Sequence, residues 1–441
     1  MQIVKKEEIL NLAKEENIEF IRLQFTDIFG MIKSVTITQD QLENVLENGC
    51  MFDGSSIEGF ARIEESDMKL VPDLNTFTIL PFLEEPGKVA RIICDVYKGD
   101  IHFEGDPRYV LKRAIKDAKD LGIEINVGPE CEFFLFPQNK DGYPDLTIKD
   151  SCGYFDIAPV DRGSICRRSI SLALKKMGYI IETSHHENGP SQHEIDFKYS
   201  DALDAADKII TFKLTTRAIA REQGLFATFM PKPLFGFAGS GMHTNMSLNR
   251  DGKNITKGDK EGGLSQEALY FIGGLLKHAK GFAAITNPII NSYKRLVSGF
   301  EAPTNIAWSI KNRSPLIRIP LATEKGARIE LRNPDPSCNP YLALAAIIES
   351  GLDGIKNKID PPKLVSNNIF NYSKDELKMK GIESLPENLH EAIEELKKDK
   401  VVLDALGVIV SDIYIDSKEK EWNTYKTIVT SWEYDEYLLK Y

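Results

Sequence analysis

The chain has 441 residues, enough for two or three domains, and its 42% hydrophobic and 27% charged residues are the balance of an ordinary globular protein. Fifty-five lysines and arginines stand against 66 aspartates and glutamates, a net charge of −11, which argues against nonspecific binding to nucleic acid or an anionic membrane and leaves room for a local basic pocket. The six cysteines are scattered without a CxxC pair, the opening MQIVKKEEIL has no signal-like apolar core and no apolar run is long enough to span a bilayer, so a reduced, cytoplasmic protein is expected.

In chain order, residues 5–16 read as a short charged helix. EFIRLQF (19–25) and MIKSVTI (31–37) alternate like strands on either side of Gly30, and strand-like runs follow at 76–82 and 88–97. The first hundred or so residues therefore predict a small mixed-sheet domain. A helix opens at Asp106, with Pro107 in its first turn, and closes at Gly122, so the domain boundary is expected near residue 103. Beyond it, helical patterns at 161–177, 201–222, 264–279 and 338–352 intersperse with strands at 123–136, 179–186, 193–198, 225–230, 242–248 and 327–332. That order predicts an α+β domain with a mostly antiparallel sheet, and residues 410–441 end in a helical tail.

Within this frame, GPECEFFLF (128–136) carries Glu130 and Glu132 inside an apolar run. On one strand they share a face with Phe134 and Phe136, opposite Cys131, Phe133 and Leu135. Two carboxylates about 4 Å apart repel by ~4 kcal/mol at an effective dielectric of 20. Taken alone, such a pair is more often a solvated strand face. Other segments add charge of the same kind: Glu187 and Glu194 in ETSHHENGPSQHEIDF (182–197), His243 in GSGMHTNMSL (239–248), and Glu330 in ARIELRNPD (327–335), where Arg328, Glu330 and Arg332 oppose Ile329 and Leu331. So many carboxylates with one imidazole cannot be buried unpaired, and an oxygen-rich set of this kind suits Mg²⁺ or Mn²⁺ rather than zinc.

Together with MFDGSSIEGF (51–60), MPKPLFGFAGSGMH (230–243), YKRLVSGFEAPTNIAWSIKNRSPLIRIP (293–320) and RIELRNPDPSCNPYLALAA, these segments make nearly the whole chain resemble the type I glutamine synthetases of bacteria and archaea, in their alpha branch. The resemblance implies an N-terminal β-grasp domain (1–103) and a C-terminal catalytic domain (104–441), assembled as a homo-dodecamer of two hexameric rings with active sites between subunits. It implies ligation of ammonia to the γ-carboxylate of L-glutamate with ATP, through γ-glutamyl phosphate. It also implies two divalent cations per site, one on Glu132, Glu187 and Glu194 and the other on Glu130, His243 and Glu330. By the same correspondence Arg313, Arg318 and Arg328 take nucleotide phosphates, while Glu182, Tyr199, Asn245, Ser247 and Lys325 contact the nucleotide. Gly239, Arg295 and Arg332 bind glutamate, Glu301 is a flap over the glutamyl phosphate, and Asp53 and Tyr154 serve the ammonium.

Arg62 matches a glutamine-feedback position, and 2-oxoglutarate or small nitrogen-status proteins are further regulatory inputs that the resemblance allows. The sequence departs from the family at Ala238, where Asn is common, so the substrate amino group must rely on backbone carbonyls such as that of Gly239. At the usual adenylylation position it has Phe370, which offers no hydroxyl. Competing readings are a ligase of the same fold acting on another amine, a non-catalytic oligomeric relative, and a di-metal hydrolase.

Overall fold

The structure is a computed structural model describing residues 5–57, 67–83, 86–147, 150, 152–310, 312–321, 326–367 and 369–441. Arg62 and Lys325 lie outside the described residues.

The strands Ile18–Thr26 and Ile32–Thr38 form an antiparallel hairpin, with Gly30 at a φ of 82° in the turn between them. Ile18–Thr26 also pairs in parallel with Lys88–Lys98, which pairs antiparallel with Asp67–Pro72, itself paired with Cys50–Asp53. This is the small mixed sheet the sequence predicts, closed by the helix Lys6–Glu15 over a core containing Ile21, Leu23, Leu70 and Ile92. The strand expected at 76–82 shrinks to Thr78–Ile79. Asp73 accepts a hydrogen bond from the Asn75 N–H and sets a 3-10 turn over Leu74–Thr76, a local competitor to the strand.

The rest of the chain is helices packed around two largely antiparallel sheets. One sheet runs Ile181–His186, Gln192–Phe197, Phe133–Pro137, Leu225–Thr228. The other runs Ser200–Asp201, Glu124–Cys131, Met242–Arg250, Ile329–Leu331, Ile317–Ile319, Trp308–Ile310, and only its last pair is parallel. The expected single strand over 123–136 is thus two strands in two sheets, broken at Glu132. The cause is tertiary: the Glu132 N–H donates to the Gly241 carbonyl (3.1 Å), while its carboxylate accepts from the Gly241 N–H (2.9 Å) and from Gln192 Nε2 (2.8 Å). The chain turns out of one ladder and into the next. The alternation survives the break: Cys131, Phe133 and Leu135 enter one core cluster, while Phe134 and Phe136 are buried apart from them and stack against each other beside Leu234.

The long helices Ala202–Glu222, Gln266–Lys277 and Pro340–Lys356 back these sheets and carry much of the core. Helices Leu389–Lys398 and Lys400–Leu406 were not expected, and the tail is two helices, Val408–Tyr425 and Ser431–Tyr437. Among the described residues no helix is long and apolar enough to cross a membrane.

A buried ionic knot ties the small sheet to the large unit. Arg108, at the start of the helix Pro107–Asp120, reaches Asp95 (2.7 Å) and Asp73 (2.8 Å) of the small sheet and Asp207 (2.9 Å) of the helix Ala202–Glu222. The Tyr341 hydroxyl also donates to Asp207 (2.7 Å). A buried guanidinium is tolerated here because its donors are matched by carboxylates.

Candidate active site

The sheet register assembles the first cluster. Met242–Arg250 lies between Glu124–Cys131 and Ile329–Leu331, with His243 opposite Glu130 and Asn245 opposite Glu330. Alternation then turns Glu130, His243 and Glu330 to one face, leaving Ile329 and Leu331 fully buried on the other. His243 Nδ1 is 3.1 Å from Glu130 Oε2 and 3.9 Å from Glu330 Oε1. Asn245 Nδ2 donates to Glu130 Oε1 (2.9 Å). Glu330 is 1% exposed; Arg332 Nη1 donates to its Oε1 (2.5 Å) and Arg318 Nε stands 2.9 Å from its Oε2, off hydrogen-bond alignment. Burial works to raise the Glu130 carboxyl, but the His243 hydrogen bond and charge, with Asn245 and Arg332, outweigh it and hold it low.

A hairpin in the neighbouring sheet builds the second cluster. His185 is in register with Glu194, and its Nε2 lies 2.9 Å from Glu187 Oε1 and 3.5 Å from Glu194 Oε2. Each of the two clusters can offer three ligand atoms within 4.8 Å of one another. Burial, then the charges of Asp196 and Glu132, pushes the Glu194 carboxyl well up. Burial and the Glu187 charge likewise raise Glu132. Of the expected trio Glu132, Glu187 and Glu194, the last two converge with His185, whereas Glu132 Oε2 is taken up by Gln192 and Gly241 at the sheet corner. His185 was not singled out in the sequence, although the alternation Thr183, His185, Glu187 carried the signal.

The donor set fits hard divalent cations: carboxylate oxygens dominate, one imidazole joins each cluster, and burial with neighbouring carboxylates pushes the Glu132 and Glu194 carboxyls up, a crowding that a bound cation would relieve. His185 Nδ1 and Glu330 Oε2 are buried without an aligned partner. A third group, Asp150, His186 and His193, is more deeply buried. There Arg167 Nη1 donates to His193 Nδ1 (2.8 Å) while its guanidinium pairs with Asp161, so one imidazole nitrogen is already taken by a cationic side chain.

Beside the first cluster lies a cavity of about 410 Å³ lined by Glu130, Glu182, Tyr199, Asn245, Ser247 and Arg328, among others. Arg328 Nε donates to Asn245 Oδ1 (3.0 Å), which aims the guanidinium along the cavity wall. Tyr199 is 53% exposed, an aromatic face open to a planar ligand. A Cβ at Gly128 would come within 3.2 Å of Tyr199 Cβ, so the glycine keeps this floor clear.

The remaining site residues fall in three places. The Gly239 carbonyl accepts from Gln192 Nε2 (3.2 Å), and a Cβ on Gly239 would strike the Pro231 carbonyl at 2.3 Å. Arg295 is buried beneath it, its Nη atoms donating to the carbonyls of Asn333 (2.7 Å) and Arg332 (3.1 Å). Those donors hold the loop, which leaves less of the guanidinium for a ligand than the sequence suggests. Tyr154 stacks on Phe155 (4.0 Å between centroids) and meets His185 edge-on (5.5 Å), which places it at the second cluster. Burial and the Glu187 charge raise its hydroxyl pKa, and the nearby Arg313 charge opposes them. Glu301 is exposed on its loop, with the Arg332 Nη2 donating to its carbonyl (3.3 Å). Asp53 sits at the end of Cys50–Asp53 in the small sheet, where its Oδ1 accepts from the Ser55 N–H (2.9 Å) and hydroxyl (2.7 Å).

This architecture, a small mixed-sheet domain joined to a larger unit with two carboxylate–imidazole clusters beside a cavity, is that of a two-domain, metal-dependent enzyme. Comparison with known proteins makes it specific. The family model for the glutamine synthetase catalytic domain matches residues 104–437, and the glutamine synthetase beta-Grasp model matches residues 17–99. The chain belongs to the glutamine synthetase family. It is 57% identical over 439 residues to a glutamine synthetase of Clostridium saccharobutylicum, covering 99% of both chains. It is 56% identical over 435 residues to that of Methanosarcina mazei, covering 98% of this chain and 97% of the other. Among solved structures, a GmaS–ADP complex superposes with a TM-score of 0.89 at 33% identity, over 97% of this chain and 99% of that one. The Plasmodium falciparum glutamine synthetase superposes at 0.87 with 28% identity, over 99% of each.

Crowding at the corner carries a testable consequence. In Glu132→Gln the amide oxygen can still accept from Gln192 and Gly241, while one carboxylate charge facing Glu187 is gone. With metal removed by chelation, this variant is expected to melt no lower than the parent. On adding Mn²⁺ it should gain less than the parent, because ligand stabilisation follows RT ln(1 + [L]/Kd). A variant that melts well below the parent without metal and gains equally with it would contradict the assignment.

Proposed function

We infer that the chain catalyses ATP-dependent formation of glutamine from L-glutamate and ammonia. The full-length match to glutamine synthetases of bacteria and archaea supports the reaction, and one observation supports its location: both cation-ready clusters flank the Glu130–Glu132 corner, beside the cavity that holds Tyr199 and Arg328. In this reading residues 1–103 are the β-grasp domain and 104–441 the catalytic domain.

Glu130, His243 and Glu330 would hold one divalent cation, Mg²⁺ or Mn²⁺, and Glu187 and Glu194 with Glu132 a second, His185 lying against them. Bound there, the cations would screen the repulsion between the substrate carboxylate and the triphosphate. Arg313, Arg318 and Arg328 supply further positive charge for phosphates, and Arg332 receives the glutamate with Arg295 supporting the loop beneath. The Gly239 carbonyl accepts from the substrate's amino group, which meets no side-chain amide at Ala238. Glu182, Tyr199, Asn245 and Ser247 line the nucleotide cavity, and the family correspondence alone adds Lys325 as a nucleotide contact. Glu301 shuts water away from γ-glutamyl phosphate. Asp53 takes a proton from ammonium near Tyr154, leaving ammonia as the nucleophile. Arg62 mediates inhibition by glutamine, with 2-oxoglutarate or nitrogen-status proteins as further regulators.

The assay follows from the chemistry. Phosphate release from Mg-ATP by the full chain is expected to rise by on the order of tenfold or more only when glutamate and ammonium are both present. Equal or stronger stimulation by a primary amine in place of ammonium would favour a ligase for another amine. Release without glutamate would favour a hydrolase.

We further propose a homo-dodecamer of two hexameric rings, in which the Asp53 loop of one subunit completes its neighbour's site. Mixing inactive Asp53→Ala and Arg332→Ala chains by co-expression should then restore about a quarter of the sites, since each intact site draws one good half from each variant. Mixed oligomers, verified by mass, that stay as inactive as the separate variants would contradict shared sites.

A further inference from the structure

Glu301 holds a φ of 60°, a left-handed conformation that is uncommon for a residue with a side chain. Three contacts from three different segments surround it. Asn188 Nδ2 donates to Glu301 Oε2 (3.4 Å), and the Asn188 N–H donates to Glu187 Oε2 (3.0 Å). Arg332 Nη2 donates to the Glu301 carbonyl (3.3 Å) while its Nη1 donates to Glu330 (2.5 Å). The Lys232 ammonium stands 3.9 Å from the centroid of the Phe300 ring and donates to the Phe237 carbonyl. Each contact therefore joins the Glu301 loop to a part of the site: Asn188 to the second cluster, Arg332 to the first, and Lys232 to the loop that carries Gly239.

We propose that Asn188 and Lys232 are positioning residues that latch the Glu301 loop in place beside the two clusters. This rests on reading Glu301 as the flap. Asn188 has a backbone donor on a candidate metal ligand and a side-chain donor on the flap, so the orientation of the Glu187 carboxylate and the position of Glu301 are coupled through one residue. Lys232 holds the flap from the other side by an attraction to the Phe300 face that needs a cation and no particular hydrogen-bond geometry. The left-handed backbone at Glu301 is what these contacts hold in place; without them the loop relaxes and water reaches the acyl phosphate.

The test uses the full-length chain and two readouts: deuterium uptake at 297–303 in the ligand-free protein, and phosphate released per glutamine formed with Mg-ATP, glutamate and ammonium. Losing one hydrogen bond or cation–π contact should speed uptake in Asn188→Ala and Lys232→Gln by roughly threefold to tenfold. It should also raise the phosphate-to-glutamine ratio from about one towards two, as water competes with ammonia. Lys232→Arg, which keeps the cation over the ring, should retain the parent's behaviour in both. Glu301→Ala is the control for the flap: a ratio that stays at about one in that variant overturns the flap reading and the latch with it. If Glu301→Ala raises the ratio while Asn188→Ala and Lys232→Gln change neither readout, the flap stands and the latch is overturned.

Discussion

Like-charge crowding at a corner between two sheets organises this molecule. Glu130 lies one residue before the end of the Glu124–Cys131 ladder, Glu132 leaves it, and Phe133–Pro137 begins the next sheet, so the two carboxylates are delivered to different neighbours. A single flat strand would have stacked both on one face at a repulsion of ~4 kcal/mol. The break instead lets Glu130 join His243 and Glu330 while Glu132 turns to Gln192 and Gly241, close enough to Glu187 for its charge to act. Every other element of the site is arranged around the charge that remains.

Arginines and carbonyls do much of that arranging. Arg332 bridges Glu330 and the Glu301 carbonyl, Arg318 stands against the other Glu330 oxygen, and Arg328 is aimed by Asn245. Arg295 differs from the rest, because its Nη atoms are committed to the backbone carbonyls of residues 332–334. The glycines of the GSG turn make room for it: a Cβ at Gly241 would lie 2.6 Å from Arg295 Nη2. Small residues here are a steric requirement of the charge arrangement.

Much of this was legible in the sequence, and the failures have physical reasons. The Glu130–His243–Glu330 set comes from the family resemblance; strand alternation says only which face each residue takes, and the cross-strand register brings the three together. The break at Glu132 does not follow from local rules, since its cause is a contact with Gly241, 109 residues away. In the same way His185 joins its cluster through a cross-strand register with Glu194 that only the folded hairpin reveals. Local chemistry misled once, where Asp73 caps a turn and cuts short the strand expected from 76. Helix Leu389–Lys398 was missed although its buried Leu389, Ala392, Ile393 and Leu396 keep helical spacing. The pair Arg108 and Asp207, 99 residues apart, carried no readable signal, because the partners of a buried guanidinium are chosen by the fold.

The Arg108 knot joins the small domain to the large one, as do the Asn339 amide's bonds to the Asp27 (3.0 Å) and Ile28 (3.3 Å) carbonyls. If the crowded carboxylates at the sheet corner hold divalent cations, anomalous scattering from crystals of the full chain grown with Mn²⁺ will show two peaks per subunit, one among Glu130, His243 and Glu330 and one at Glu187 and Glu194 between Glu132 and His185. Crystals with no peak at either place, or with manganese only at Asp150, His186 and His193, would contradict that reading.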